Sequence, residues 1–199
     1  RRICYTLVDM SANNGRGKVL EKNIPIIEDN LTCEIAAAKH ANGRDWWIPL
    51  KKLESDCYYR ILLDSTGPHA LPDLDCVENS PTYQELGSAC FSPDGSKIVW
   101  TNRTAAPDVL NPKKQAGYWN LQVMDFAFDN NNEPVVSNLR TIQPAEDAFY
   151  ECYGYSPDGS KLYVAETYTC RLTQFNIVAP GKVDDAAGPG GPGIPLYRP

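Results

Sequence analysis

The sequence predicts an all-β protein, and more narrowly a partial β-propeller: about two complete four-stranded blades with incomplete blades at each end. One strand–turn–strand pattern is written twice, as FSPDGSKIVW at 91–100 and YSPDGSKLYV at 155–164. The apolar runs are short or alternating and end in Gly, Pro, Asn or Asp clusters, with no 3.6-residue period lasting beyond a turn or two. The turn glycines Gly43, Gly95 and Gly159 recur at the length of a four-stranded unit with an added loop. Such sheets carry apolar faces that they cannot hide alone, so neighbouring units must stack face to face around an axis.

Residues 1–30 read as a hairpin that ends a preceding blade. RICYTLVDM and GKVLEKNIPII are joined by SANNGR, whose Asn-Asn-Gly supplies left-handed backbone angles. Residues 31–85 form a blade: LTCEIAAAKH, the turn Ala-Asn-Gly-Arg, DWWIPLKKL, CYYRILLDS, the turn Thr-Gly-Pro and a poorly defined fourth segment. Residues 86–145 repeat the unit with four strands and a long polar insertion at 103–117. Residues 146–179 give three strands with no clear fourth, and 180–199 read as a Gly/Pro-rich tail or linker.

The Ser-Pro-Asp-Gly turn has a physical logic. Pro93 and Pro157 preset φ, Asp94 and Asp158 can bond the backbone two residues on, and Gly95 and Gly159 take a left-handed conformation without steric cost. The turn thereby sets the register of the two innermost strands. KHANGRDWW at 39–47 carries the same grammar through Asn42 and Gly43, which places Trp46 and Trp47 where the second unit has Ile98 and Val99. One indole is expected to face the neighbouring blade and the other the opposite side.

Charge and composition exclude some classes of function. The net charge is −6 and the Lys and Arg residues are scattered, so no basic stripe exists to meet nucleic acid. No apolar run approaches the ~18 residues of a membrane span. The chain opens on RRICYTLVDM, inside a strand, and is expected to belong to a larger multidomain protein. None of the seven cysteines sits in the Cys-x-x-Cys spacing of a zinc site. Cys57 and Cys76 flank the Thr-Gly-Pro turn, and two readings stand: they bridge the outer part of the first full blade, or each is a buried thiol in an inter-blade core.

No catalytic constellation is visible, and neither a metal nor a cofactor is expected. Only His40 and His69 could serve a Ser-His-Asp or Cys-His device, and Gly-x-Ser-x-Gly is absent. His40 precedes a turn with Asp45 nearby, and the simpler reading is a turn histidine bonding its own backbone. The acidic groups at 73–78 and 125–133 lack the spacing of a calcium loop and read as hairpin turns. Loops held by a rigid scaffold carry much binding function. The residues selected for recognition are therefore His40, Asn42, Arg44 and Asp45 at the first turn, with Arg103, Tyr118 and Trp119 flanking the insertion.

YTLVDMSANNGRGKVLEKNIPII, AAAKHANGRDWWIPL and the two Ser-Pro-Asp-Gly units together resemble the propeller domains of large secreted or surface proteins of gliding, type IX-secreting bacteria. The resemblance covers roughly residues 3–178. It implies an extracellular or cell-envelope location; together with the repeats and the absence of a catalytic constellation it points to a non-catalytic module that presents a face to a protein or glycan. Two alternatives share the Ser-Pro-Asp-Gly signature: part of a lactonase-type propeller enzyme with an axial metal, and a TolB-like periplasmic scaffold.

Overall fold

The computed structural model describes residues 2–32, 34–53, 55–72, 75–77, 89–104, 118–142, 150–166, 170–178, 182–184 and 194–197. Its strands form four antiparallel sheets. β1 (Arg2–Asp9) and β2 (Lys18–Glu28) make a two-stranded ribbon. Asn13, Asn14 and Gly15 turn it with φ of 56°, 56° and 80°, the left-handed region that Asn and Gly enter at least cost.

In the first full blade β3 (Ala38–Lys39), β4 (Trp46–Lys51), β5 (Cys57–Asp64) and β6 (Gly67–Ala70) lie in order, and β7 (Asp75–Cys76) also pairs with β5. The second blade is a meander of β8 (Ala89–Phe91), β9 (Lys97–Thr104), β10 (Tyr118–Phe128) and β11 (Pro134–Ile142). The third is β12 (Tyr150–Tyr155), β13 (Lys161–Glu166) and β14 (Arg171–Val178), with β15 (Lys182–Asp184) and β16 (Ile194–Tyr197) both on the far edge of β14.

Each gap between sheets holds its own core, because side chains alternate across a strand and every blade has two apolar faces. Ile27, Leu31, Leu50 and Ile61 fill the space between the ribbon and the first blade. Trp47, Tyr58, Ile98, Trp100 and Met124 fill the next gap, where the Tyr58 and Trp100 rings stack at 4.8 Å. Val99, Leu121, Val123, Leu162, Val164 and Phe175 fill the third. The two indoles divide as their alternation requires: Trp47 is 3% exposed against the second blade, and Trp46, on the opposite face, is 41% exposed.

Three details differ from the sequence reading. The first is the run 31–40, which is not one strand: only Ala38–Lys39 lies in the sheet, and Leu31 makes a single bridge to Lys52. The Ala38–Trp47 ladder, continued towards Lys52, misses Leu31 by two residues, so the intervening chain leaves register. Glu34 is buried there beside Lys51. Burial pushes its carboxyl up and the Lys51 ammonium down, while the attraction between them opposes both shifts.

The second is the turn after β5, which is Ser65-Thr66 rather than Thr-Gly-Pro. The Asp64 carboxylate accepts the Thr66 N–H at 2.7 Å and closes the hairpin, and Pro68 sits on the edge strand, where a missing N–H is tolerated. The third is the end of the chain, read as a tail but supplying two short strands to β14. Their irregular Gly/Pro-rich context hides the alternation that marks a strand.

Candidate functional site

The hairpin turns between the two innermost strands of each blade form one rim. In the second blade the Gly95 N–H donates to the Ser92 carbonyl at 2.8 Å and the Ser92 N–H to the Lys97 carbonyl at 2.9 Å. The Ser92 hydroxyl donates to Asp94 Oδ1 at 2.6 Å and accepts the Lys97 N–H at 3.0 Å. Asp94 Oδ1 also accepts the Ser96 N–H at 3.0 Å. The third blade repeats every bond through Ser156, Asp158, Gly159, Ser160 and Lys161. Gly95 and Gly159 both have φ of 71°.

These bonds stabilise the charged form of each carboxylate. The Ser92 hydroxyl first, then the Ser96 amide and hydroxyl, hold Asp94 down at about 2. Ser156 and Ser160 hold Asp158 at about 2 in the same way.

His40 takes the place of Ser92 in the first blade. Its N–H donates to the Asp45 carbonyl at 2.8 Å, and its Nδ1 accepts the Asn42 N–H at 3.0 Å. Asn42 replaces the turn aspartate, its Oδ1 accepting the Arg44 and Asp45 N–H groups, and Gly43 has φ of 74°. Asp45 is clamped by Arg44 Nε at 2.7 Å and Asn42 Nδ2 at 2.6 Å, which hold its carboxyl at about 2.

The Asn132 amide of the next blade lies 3.0 Å from His40 Nε2. Because Nδ1 accepts, a neutral ring carries its proton on Nε2, and the amide must turn its oxygen there. The ring also stacks on Trp47 at 5.6 Å. Both nitrogens are thus committed.

Successive turns pack against one another. A Cβ built on Gly95 would lie 3.9 Å from Ala38 Cβ, and one on Gly159 would lie 3.8 Å from Pro93 Cδ. Between the second and third turns is a cleft of about 470 Å³ lined by Ser92, Asp94, Lys97, Asp158, Ser160 and Asn176.

The residues selected from sequence do not form one site. His40, Asn42, Arg44 and Asp45 share the rim. Arg103 pairs with Trp119, and Tyr118 with Thr104, at the far end of β9 from Lys97. At 3.3 Å per residue that end is about 20 Å away. Residues 105–117 of the insertion, like Asp73 and Glu78, lie outside the described residues. Asp75 accepts the Val136 N–H at 2.8 Å, and Asp129 closes the β10–β11 turn through the Asn131 and Glu133 N–H groups. Sequence reading missed Asn132, Lys97 and Asn176, whose roles depend on contacts between turns or blades.

Cys57 and Cys76 are joined by a disulfide that ties β7 to β5. Cys90 packs against the core between the second and third blades, while Cys152 is exposed. Among the described residues the one group of three metal-ligand types is Asp56 with these two bridged cysteines, whose sulfurs are already committed. The innermost strands β3, β8 and β12 contain a single carboxylate, Glu151, and no histidine or asparagine. No described helix is long and apolar enough to cross a membrane.

No protein-family model and no curated protein matches the chain. Solved structures do. A putative 6-phosphogluconolactonase from Bacteroides uniformis superposes with a TM-score of 0.56 at 14% identity, over 96% of this chain and 52% of its own. The fold is that of a partial β-propeller. A second putative 6-phosphogluconolactonase, from Bacteroides fragilis, gives a TM-score of 0.56 at 16% identity, over 96% and 49% of the two chains. A functionally unknown protein from Desulfotomaculum acetoxidans gives 0.53 at 17% identity, over 84% and 46%. The chain thus spans about half the length of these structures, and the likeness establishes its fold alone.

Proposed function

We propose that this chain is a non-catalytic segment of a β-propeller, presenting its turn rim to a protein or glycan partner outside the cytoplasm. The observation that carries this reading is the commitment of the rim's ionisable groups to the turns themselves. Asp45, Asp94 and Asp158 are held at about 2, far from the near-neutral value that suits a general base. Both His40 nitrogens are engaged. What the rim offers instead is a cleft with fixed carboxylates, Lys97, Ser160 and Asn176, a rigid set of donors and acceptors suited to recognition. The Cys57–Cys76 bridge supports an oxidising compartment, and the resemblance to secreted and surface propellers agrees with that placement.

The test is binding of the chain to a glycan array and to immobilised envelope proteins, repeated with Lys97→Glu and Asn176→Ala. Saturable binding weakened by both substitutions is expected. Binding that ignores both would remove the rim from the proposal. A second reading, part of a lactonase, is favoured by the solved propellers named above. Proton release from a sugar lactone, catalysed by the chain and lost in Asp158→Asn, would establish it over the first.

A further inference from the structure

β7 is a strap between the first and second full blades. Cys76 lies opposite Cys57 and Asp75 opposite Tyr58, which joins its two residues to β5, and the Val77 N–H donates to the Asp56 carbonyl at 3.0 Å. On the other side the Asp75 carboxylate accepts the Val136 N–H of β11 at 2.8 Å. Val77, 9% exposed, enters the core that Tyr58, Trp100 and Phe126 build between the two blades. Both blades have four strands in order, so this junction lies wholly within the chain.

Two residues of ladder carry little stability of their own. The covalent attachment is the Cys57–Cys76 bridge, and solvent reaches it. Cys76 is exposed, whereas Cys57 is half-buried with Asp56 Oδ1 3.3 Å from its sulfur. That carboxylate repels an incoming thiolate, which therefore meets Cys76 first.

The second blade feels the strap through one turn. Among the described residues the first blade grips the β10–β11 turn at Asn132 through His40, at Glu133 through Arg60 Nη1 at 3.2 Å, and just beyond it at Val136 through Asp75. β11 pairs with β10 alone among the described residues, and the Val136 N–H turns to Asp75 instead of to a strand.

We infer that the Cys57–Cys76 bridge is a redox latch: reduction by a dithiol frees β7 from both blades and slackens the first blade's hold on the β10–β11 turn. One thiolate of the reductant attacks Cys76 Sγ, the S–S bond breaks, and Cys57 leaves as a thiolate that takes a proton. The second thiol of the reductant then closes the reductant's own disulfide and expels Cys76, so two electrons and two protons pass to the chain. The docked state keeps the Val77 and Val136 hydrogen bonds, and the released state exchanges them for bonds to water. The latch lies apart from the cleft between the second and third turns and does not rest on the function proposed for the rim.

The test is backbone amide hydrogen exchange, read residue by residue by nuclear magnetic resonance, on the oxidised chain and in dithiothreitol. Reduction is expected to speed exchange at Val77 and Val136 by at least about tenfold while β9 and β13 keep their protection. Cys57→Ser with Cys76→Ser is expected to exchange at the reduced rate with or without dithiothreitol, which separates this bridge from the remaining cysteines. Asp75→Ala, with the bridge intact, is expected to speed Val136 and leave Val77 slow.

Unchanged exchange at Val136 after full reduction, with the thiols counted by alkylation and mass, would overturn the inference, because β7 would then stay docked. Loss of protection in β9 and β13 together with Val136 would overturn it as well, making the bridge a staple of the whole stack instead of a latch.

Discussion

At Gly95 the backbone sits at φ +71°, and a Cβ there would meet nothing closer than Ala38 Cβ at 3.9 Å. The space is adequate, so the cost of Gly95→Ala is that of the left-handed backbone, about 1 kcal/mol. Gly95→Asn is expected to recover most of that cost, since this chain already places Asn13, Asn14 and Asn132 at positive φ. Urea unfolding of the two variants checks the order, and alanine proving as stable as asparagine would refute it. This turn was legible residue by residue, because its bonds join groups within six positions of one another.

The aspartates of the three turns make a second prediction. Asp45, Asp94 and Asp158 are held at about 2 in the folded chain. The same groups titrate near 3.9 when unfolded. Folding favours their charged form, so the stabilisation is complete above about pH 4 and is lost as pH falls towards 2. The melting midpoint should drop across that interval, and less steeply in Asp94→Asn with Asp158→Asn. A flat midpoint from pH 5 to pH 2 would contradict the assignment.

Among the elements, β5 joins most of the first full blade, pairing with β4, β6 and β7. Its weakest attachment is β7, two residues long, and the Cys57–Cys76 bridge across a separation of 19 residues secures it. Closing a loop of that length is worth about 3 kcal/mol. Cys57→Ser with Cys76→Ser should lose about that much in guanidinium unfolding, and reductant should lower the parent chain to match. An unchanged midpoint on reduction would show that β7 holds without the bridge.

The Cys57–Cys76 pair was named from sequence, but the choice between a bridge and two buried thiols was not made there. Only the return of the chain from β6 to β7 brings residue 76 opposite residue 57. The fourth strand of the third blade was hidden for a related reason. β15 and β16 are short and set among glycines and prolines, and they are strands because β14 offers them an edge.

Across the whole molecule each sheet packs against its sequence neighbours, and three separate cores result. Stability in such a stack is approximately a sum of unit and interface contributions, so damage stays local. Leu162 is fully buried between the second and third blades, and Leu162→Ala should cost about 2–4 kcal/mol. Hydrogen exchange should then show β12 to β14 losing protection first while β4 and β5 keep theirs. Uniform loss over all strands would mean that the stack unfolds as one unit.

Local grammar carried the all-β class, the repeated turns, the left-handed Asn and Gly positions and the division of Trp46 from Trp47, because each follows from side-chain alternation or from bonds between near neighbours. Contacts between blades were decided by the tertiary structure. His40 meets Asn132 of the following blade, and Arg103 and Trp119 end at the opposite edge from His40. These depend on how sheets stack and how far strands run, distances that sequence separation does not encode.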